Sequence, residues 1–145
     1  MAIAVSLIEV NSLEQARDAF EEARKIKETP LVFYNLGVVS FQLKNLSQSI
    51  AHFEKSLQLD PDSADAHSCH NNLATCYIFG TPPNTEKGIE HLKKAVELKP
   101  QDGEVRFNLG AVLESAGHIE DAYRQYFAAK ELGVSQAEPH MRNVS

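Results

Sequence analysis

The sequence predicts an all-α chain, an α-α superhelix (solenoid) of antiparallel helix pairs, and three observations carry that expectation. The triplet Asn35-Leu36-Gly37 returns as Asn72-Leu73-Ala74 and again as Asn108-Leu109-Gly110. Each triplet is followed by a small residue four positions ahead of an apolar one: Ser49 and Phe53, Gly88 and Leu92, Ala122 and Tyr126. The first two copies close on Leu59-Asp60-Pro61 and Leu98-Lys99-Pro100. A unit of this size cannot bury its apolar face alone, so its copies must stack on one another.

The elements follow from local punctuation. Ser12, with Gln15 three residues on, predicts a cap for a helix running to about Glu28, with Leu13, Ala16, Phe20, Ala23 and Ile26 on one face. Thr29-Pro30 starts the next helix, since Pro suits a first helical turn. That helix is expected over 31–43, and its partner over 47–59 after the turn at Lys44-Asn45. Asp60-Pro61-Asp62-Ser63 breaks the chain, because the residue before Pro is pushed out of helical geometry. The second pair is expected at 65–79 and 85–98, with extra residues forming a further helical turn from about Ala64. Between these helices, Gly80-Thr81-Pro82-Pro83-Asn84-Thr85 predicts a stiff protruding loop, since Pro-Pro cannot lie inside a helix. The third pair spans 103–116 and 119–132 and stops at Gly133 in the left-handed conformation.

Composition narrows the function. The chain has 145 residues, 43% of them apolar, a net charge of -6 and a pI near 5.5. By segment the charge is -2 over 1–30, -1 over 31–63, 0 over 64–100 and -3 over 101–145. No segment is basic, so nucleic acid and anionic membrane are not expected partners. The start, Met1–Ile8, is apolar but lacks the charged residues of a secretory signal and is too short to span a bilayer. Cys69 and Cys76 lie seven residues apart in one expected helix. Their Cα atoms would be about 10 Å apart, beyond disulfide reach, so free buried thiols and a cytoplasmic location are expected.

These motifs resemble the tetratricopeptide-repeat family. Its pattern of a large residue, Leu-Gly and an aromatic, then small, aromatic, small and Pro, is met in the first unit by Phe33, Leu36, Gly37, Ser49, Phe53, Ser56 and Pro61, with Ser40 in the aromatic place. The second unit matches with Leu73, Ala74, Tyr77, Gly88, Leu92, Ala95 and Pro100, with His70 at the large position. The third matches with Leu109, Gly110, Ala122, Tyr126 and Ala129, while Arg106 and Val134 replace the large residue and Pro. The resemblance divides the single 1–145 segment into a partial repeat (1–29), repeats at 30–63, 64–102 (with insertions) and 103–136, and a partial repeat or cap at 137–145. Asn143-Val144-Ser145 falls in phase with the earlier triplets, and Ser135-Gln136-Ala137-Glu138 supplies a capping box before it. The phase at both ends predicts a window from a longer array. It also predicts self-association through terminal helices, where Ile3, Val5, Leu7 and Ile8 lack a covering unit.

The resemblance implies a protein-interaction adaptor or scaffold with a concave groove lined by the first helix of each pair. Tyr34, Asn35, Val38 and Phe41 are the expected lining from the first unit. Asn71, Asn72, Thr75, Ile78 and Phe79 come from the second, and Phe107, Asn108, Ala111 and Glu114 from the third. An amide both donates and accepts, so Asn35, Asn72 and Asn108 could hold the main chain of a partner peptide or helix whatever its sequence. Relatives that grip acidic C-termini use a clamp of Lys and Asn, Asn, then Lys and Arg. The matching positions here hold Tyr34 and Val38, Asn72, then Glu104 and Asn108, so that clamp is absent. A homo-oligomerising scaffold and a dedicated client-binding chaperone are the alternatives. His67 and His70 stand one turn apart, but no further cluster completes a metal site in a recognisable spacing. With no phosphate loop and no nucleophile elbow, neither catalysis nor a cofactor is expected.

Overall fold

The computed structural model describes residues 7–144, and side chains from 9 to 142. Eight helices and no strand occur among the described residues: α1 (Leu7–Ile26), α2 (Pro30–Gln42), α3 (Leu46–Leu59), α4 (Ala66–Ile78), α5 (Thr85–Leu98), α6 (Gly103–Ser115), α7 (Ile119–Glu131) and α8 (Ala137–Val144). The all-α class and the helix pairs are those the sequence predicts. The chain divides into two compact units, Met1–Asn72 and Leu73–Ser145, with the boundary inside α4.

In the first unit α2 and α3 form the central pair. Thr29 caps α2, its hydroxyl oxygen accepting the Val32 N–H at 3.1 Å, and Pro30 occupies the first turn. Asn45 caps α3 by accepting the Gln48 N–H at 3.3 Å. The helices cross at Gly37, where an added Cβ would sit 2.6 Å from the nearest Phe53 ring atom. Two of the repeat's small residues are serines, both fully buried. Ser49 Oγ donates to the Gly37 carbonyl and Ser56 Oγ to the Pro30 carbonyl, each at 2.7 Å. Burial therefore leaves neither hydroxyl unsatisfied, and each ties α3 to the backbone of α2. Cys69 extends this chain, its thiol donating to Ser56 Oγ at 3.5 Å.

Two expectations for the first unit are corrected. The cap expected at Ser12 is absent, because α1 runs unbroken from Leu7 through Asn11 and Ser12. Asn and Ser cost only about half a kcal/mol or so inside a helix, less than breaking one and leaving a new set of unsatisfied backbone groups. Ile26, placed on the apolar face of α1, is 88% exposed. It is the last residue of the helix, and only the turn at Lys27–Thr29 follows it. The unpaired apolar residues expected at the start lie outside the description: Ile3 and Val5 entirely, Leu7 and Ile8 in their side chains.

The segment entering α4 is also built differently. The expected extra turn from Ala64 is not helical, since α4 begins at Ala66. Six residues (60–65) separate α3 from α4, against four (99–102) between α5 and α6. The insertion therefore lies mostly in the turn, where Asp60-Pro61 has already interrupted the helical backbone.

The second unit is built around Leu92, Ala95, Val105, Leu109, Leu113, Ala122, Tyr126, Ala129 and Ala137, all buried. Asn84 and Asp102 cap α5 and α6, accepting the Lys87 and Val105 N–H groups at 3.1 and 3.3 Å. His118 makes no side-chain cap for α7, whose first turn instead carries Glu120 and Asp121, favourable against the helix dipole. Gly110 repeats the crossing of the first pair, with an added Cβ 2.9 Å from the Tyr126 ring. The chain turns after α7 at Gly133 with φ 94°, as predicted, and α8 then packs back on α7.

Candidate partner-binding faces

The expected lining residues all lie on, or one residue beyond, the first helices of the pairs, but they are not equally available. On α2, Asn35 neighbours the fully buried Leu36 and is itself half-buried, as are Tyr34 and Val38. Tyr34 lies against the core, its ring centroid 5.9 Å from that of Phe53. Phe41, 37% exposed, is the accessible apolar residue of this face.

On α4, Asn71 and Asn72 are half-buried in the first unit, and Thr75 and Ile78 in the second. Ile78 is packed inward, with its Cγ1 atom 2.7 Å from where a Cβ on Gly88 would stand. Phe79, just past the helix end, is 67% exposed. The loop that follows exposes Thr81, Pro82 and Pro83, and the Asn84 N–H closes it by donating to the Tyr77 carbonyl at 2.8 Å.

On α6, Phe107, Asn108 and Ala111 are half-buried. Phe107 is covered from within its own unit. Its ring lies 5.6 Å from Tyr126 and 5.4 Å, edge-on, from His140 of α8. His140 also stacks on Tyr126 at 5.0 Å, and its Nδ1 lies 3.4 Å from Glu114 Oε1. Tyr126 donates its hydroxyl to the same oxygen at 2.8 Å. Burial, followed by the bond to the Glu114 carboxylate, raises the Tyr126 pKa, so the phenol stays protonated and keeps donating. Glu114 is thus an anchor for α8 as much as a lining residue.

Of the three amides, Asn108 interacts with another group in the chain, as do the lining residues Asn71 and Thr75. Sequence reasoning missed the part played by His140, because nothing local marks a residue of α8 as the neighbour of Phe107. Cys69 and Cys76 are buried and not joined in a disulfide, and burial raises the Cys69 thiol to about 11. Among the described residues no group of three His, Cys, Asp or Glu side chains could hold a metal ion. Nor is any described helix long and apolar enough to cross a membrane.

Known proteins agree with this architecture. A crystal structure of MamA superposes with a TM-score of 0.81 at 16% identity, covering 98% of this chain and 84% of that one. The first repeat domain of Spaghetti (RPAP3), solved with the HSP90 peptide SRMEEVD, gives 0.71 at 19% identity, covering 81% and 90%. YrrB, described as having an unusual peptide-binding site, gives 0.74 at 16%, covering 92% and 67%. In sequence the chain is 31% identical over 94 residues to the CTR9 homolog of Arabidopsis thaliana, covering 63% of this chain and 8% of that protein. It is 28% identical over 99 residues to the type IV pilus assembly protein PilF of Pseudomonas aeruginosa, covering 68% and 37%. The chain thus spans well under two thirds of the length of these relatives. Residues 30–63 match the tetratricopeptide-repeat profile, and they include the large and small positions, Phe33, Leu36, Gly37, Ser49, Phe53 and Ser56, that are buried in the α2–α3 pair. The chain thus carries a tetratricopeptide repeat at residues 30–63, within an all-helical fold shared with these solved structures.

Proposed function

We propose that the chain is a cytoplasmic protein-interaction module that takes an extended or helical segment of a partner protein on the exposed face of α2 in its first unit, or on α6 and the end of α4 in its second. The observation that carries this reading is the exposure of Phe41 and Phe79, at 37% and 67%, beside half-buried asparagines on helices whose opposite faces are fully buried. Large apolar side chains at the edge of amide-bearing surfaces suit partner anchors. The peptide bound to the RPAP3 domain and the peptide site of YrrB support a polypeptide ligand. An acidic tail like SRMEEVD is disfavoured, because Glu104 stands where the clamp of such relatives carries a cation. A role in assembling a larger complex, rather than catalysis, fits the relative named as a type IV pilus assembly protein.

The test is a quantified pull-down of partner by wild type, Phe79→Ala, Phe41→Ala and Asn72→Ala. Hot-spot anchors are worth about 2 kcal/mol or more, so each Phe variant should lose at least about tenfold in affinity. Asn72→Ala should lose less, near the ~1 kcal/mol net worth of a hydrogen bond. Unchanged recovery with all three variants would reject these faces.

A further inference from the structure

On α3, α5 and α7 the small, large and small positions of the repeat's second helix are all buried. In α7 they are Ala122, Tyr126 and Ala129, packed against α6. The same spacing recurs on α1 as Ala16, Phe20 and Ala23, yet all three are only half-buried. The packing of α1 confirms its register. Arg17 and Arg24, one residue after Ala16 and Ala23, turn towards the helix that follows, with Arg24 over the Phe33 ring of α2 at 5.8 Å. On α5 the residues one place after Gly88 and Ala95 are Ile89 and Val96, and they likewise pack on the second unit's core. By register α1 is a second helix, and its pairing face is incompletely covered.

The other end of the chain shows the converse. The counterparts of Ile89 and Val96 on α7 are Tyr123 and Lys130, and both are exposed, Tyr123 by 38%. Ile119 and Phe127, one turn to either side, are exposed as well, where α5 carries Thr85 and Lys93. A row of large apolar side chains on a helix surface marks a contact site. α8 packs on α7 as α6 packs on α5, and Ala137 is buried at its start as Gly103 is at the start of α6. α8 is therefore a first helix by register. Two helices follow α5 in the second unit, but among the described residues only α8 follows α7. What would cover Tyr123 is a second helix, antiparallel to α8.

We infer that these two incomplete ends fit each other: α1 of one copy of this chain pairs with α8 of another and covers Tyr123 of its α7. The copies join head to tail through two different surfaces, so the contact is heterologous. Neither surface includes Phe41 or Phe79, the anchors of the partner-binding faces.

The test is sedimentation equilibrium of the whole chain from about 5 to 500 µM, because self-association is driven by concentration. Wild type should rise from the 16.1 kDa of one chain to two chains or more. Ala16→Glu blocks the α1 face and Tyr123→Glu the α7–α8 end, and each variant alone should stay at one chain. Mixed in equal amounts they should form a 1:1 dimer, since each keeps the end the other lacks. Phe79→Ala should assemble like wild type, which keeps this inference separable from partner binding. Circular dichroism checks the folding of each variant. Should Ala16→Glu misfold, Tyr123→Glu and hydrogen exchange in wild type decide, with the α1 and α8 amides expected to gain protection as concentration rises. Wild type that remains at 16.1 kDa throughout overturns the inference. So does self-association that survives Tyr123→Glu, or a mixture of folded variants that stays at one chain.

Discussion

Gly37→Ala adds one methyl group at the closest helix crossing of the first unit, and the structure fixes what that methyl meets. Its Cβ would lie 2.6, 2.7 and 2.8 Å from three atoms of the Phe53 ring, all inside van der Waals contact. The ring cannot swing clear. Phe53 is fully buried, and Tyr34 packs beside it at 5.9 Å. Overpacking of this kind costs about 1–3 kcal/mol. Replacing Gly by Ala inside a helix returns up to about 1 kcal/mol through propensity. The clash wins, and a net loss of about 1–2 kcal/mol is expected. Urea unfolding followed by circular dichroism measures it, with Gly117→Ala as a control for a different mechanism. Gly117 has nothing within 4 Å of an added Cβ but sits at φ 87°, so its cost of about 1 kcal/mol is conformational and no change in Phe53 can relieve it. Phe53→Leu should rescue Gly37→Ala in a double-mutant cycle, with a favourable coupling of about 1 kcal/mol. Gly37→Ala as stable as wild type, or an absence of coupling, would refute the packing argument.

Three further outcomes are expected. Phe107→Ala should destabilise the second unit by about 1–3 kcal/mol, because its ring packs on Tyr126 and His140, whereas Phe79→Ala should stay within about 0.5 kcal/mol; equal denaturation midpoints would contradict the packing seen. Asn84→Ala should cost about 1 kcal/mol by removing the cap acceptor of the Lys87 N–H, with loss of amide-exchange protection concentrated at the start of α5. Burial raises the Cys69 thiol from 9.0 to about 11 in the folded chain, so its contribution to stability is present in full below about pH 9 and is lost as pH rises through 11. Alkylation of Cys69 in the native protein should accordingly be far slower than in the unfolded chain, and equal rates would reject the buried site.

Features that depend on neighbours within a few residues were legible before any coordinates. Thr29-Pro30, Asn45, Asn84 and Gly133 act through their own backbone or the next turn, and each stands at a helix boundary or turn in the structure. The spacing of Leu36-Gly37 and Phe53 likewise implied a helix crossing, because a repeat ties a small residue on one helix to a large one on its partner. Local chemistry misled at Ser12, where a sound capping signal lost to the continuity of α1. Tertiary structure alone decided which lining residues remain accessible. Tyr34 and Phe107 have the same periodicity as Phe41, but Phe53 lies beside the first, and Tyr126 and His140 beside the second. The period of a helix gives the direction of a side chain and not what stands in that direction. His140 is far from Phe107 in sequence and reaches it only because Gly133 reverses the chain and α8 packs on α7.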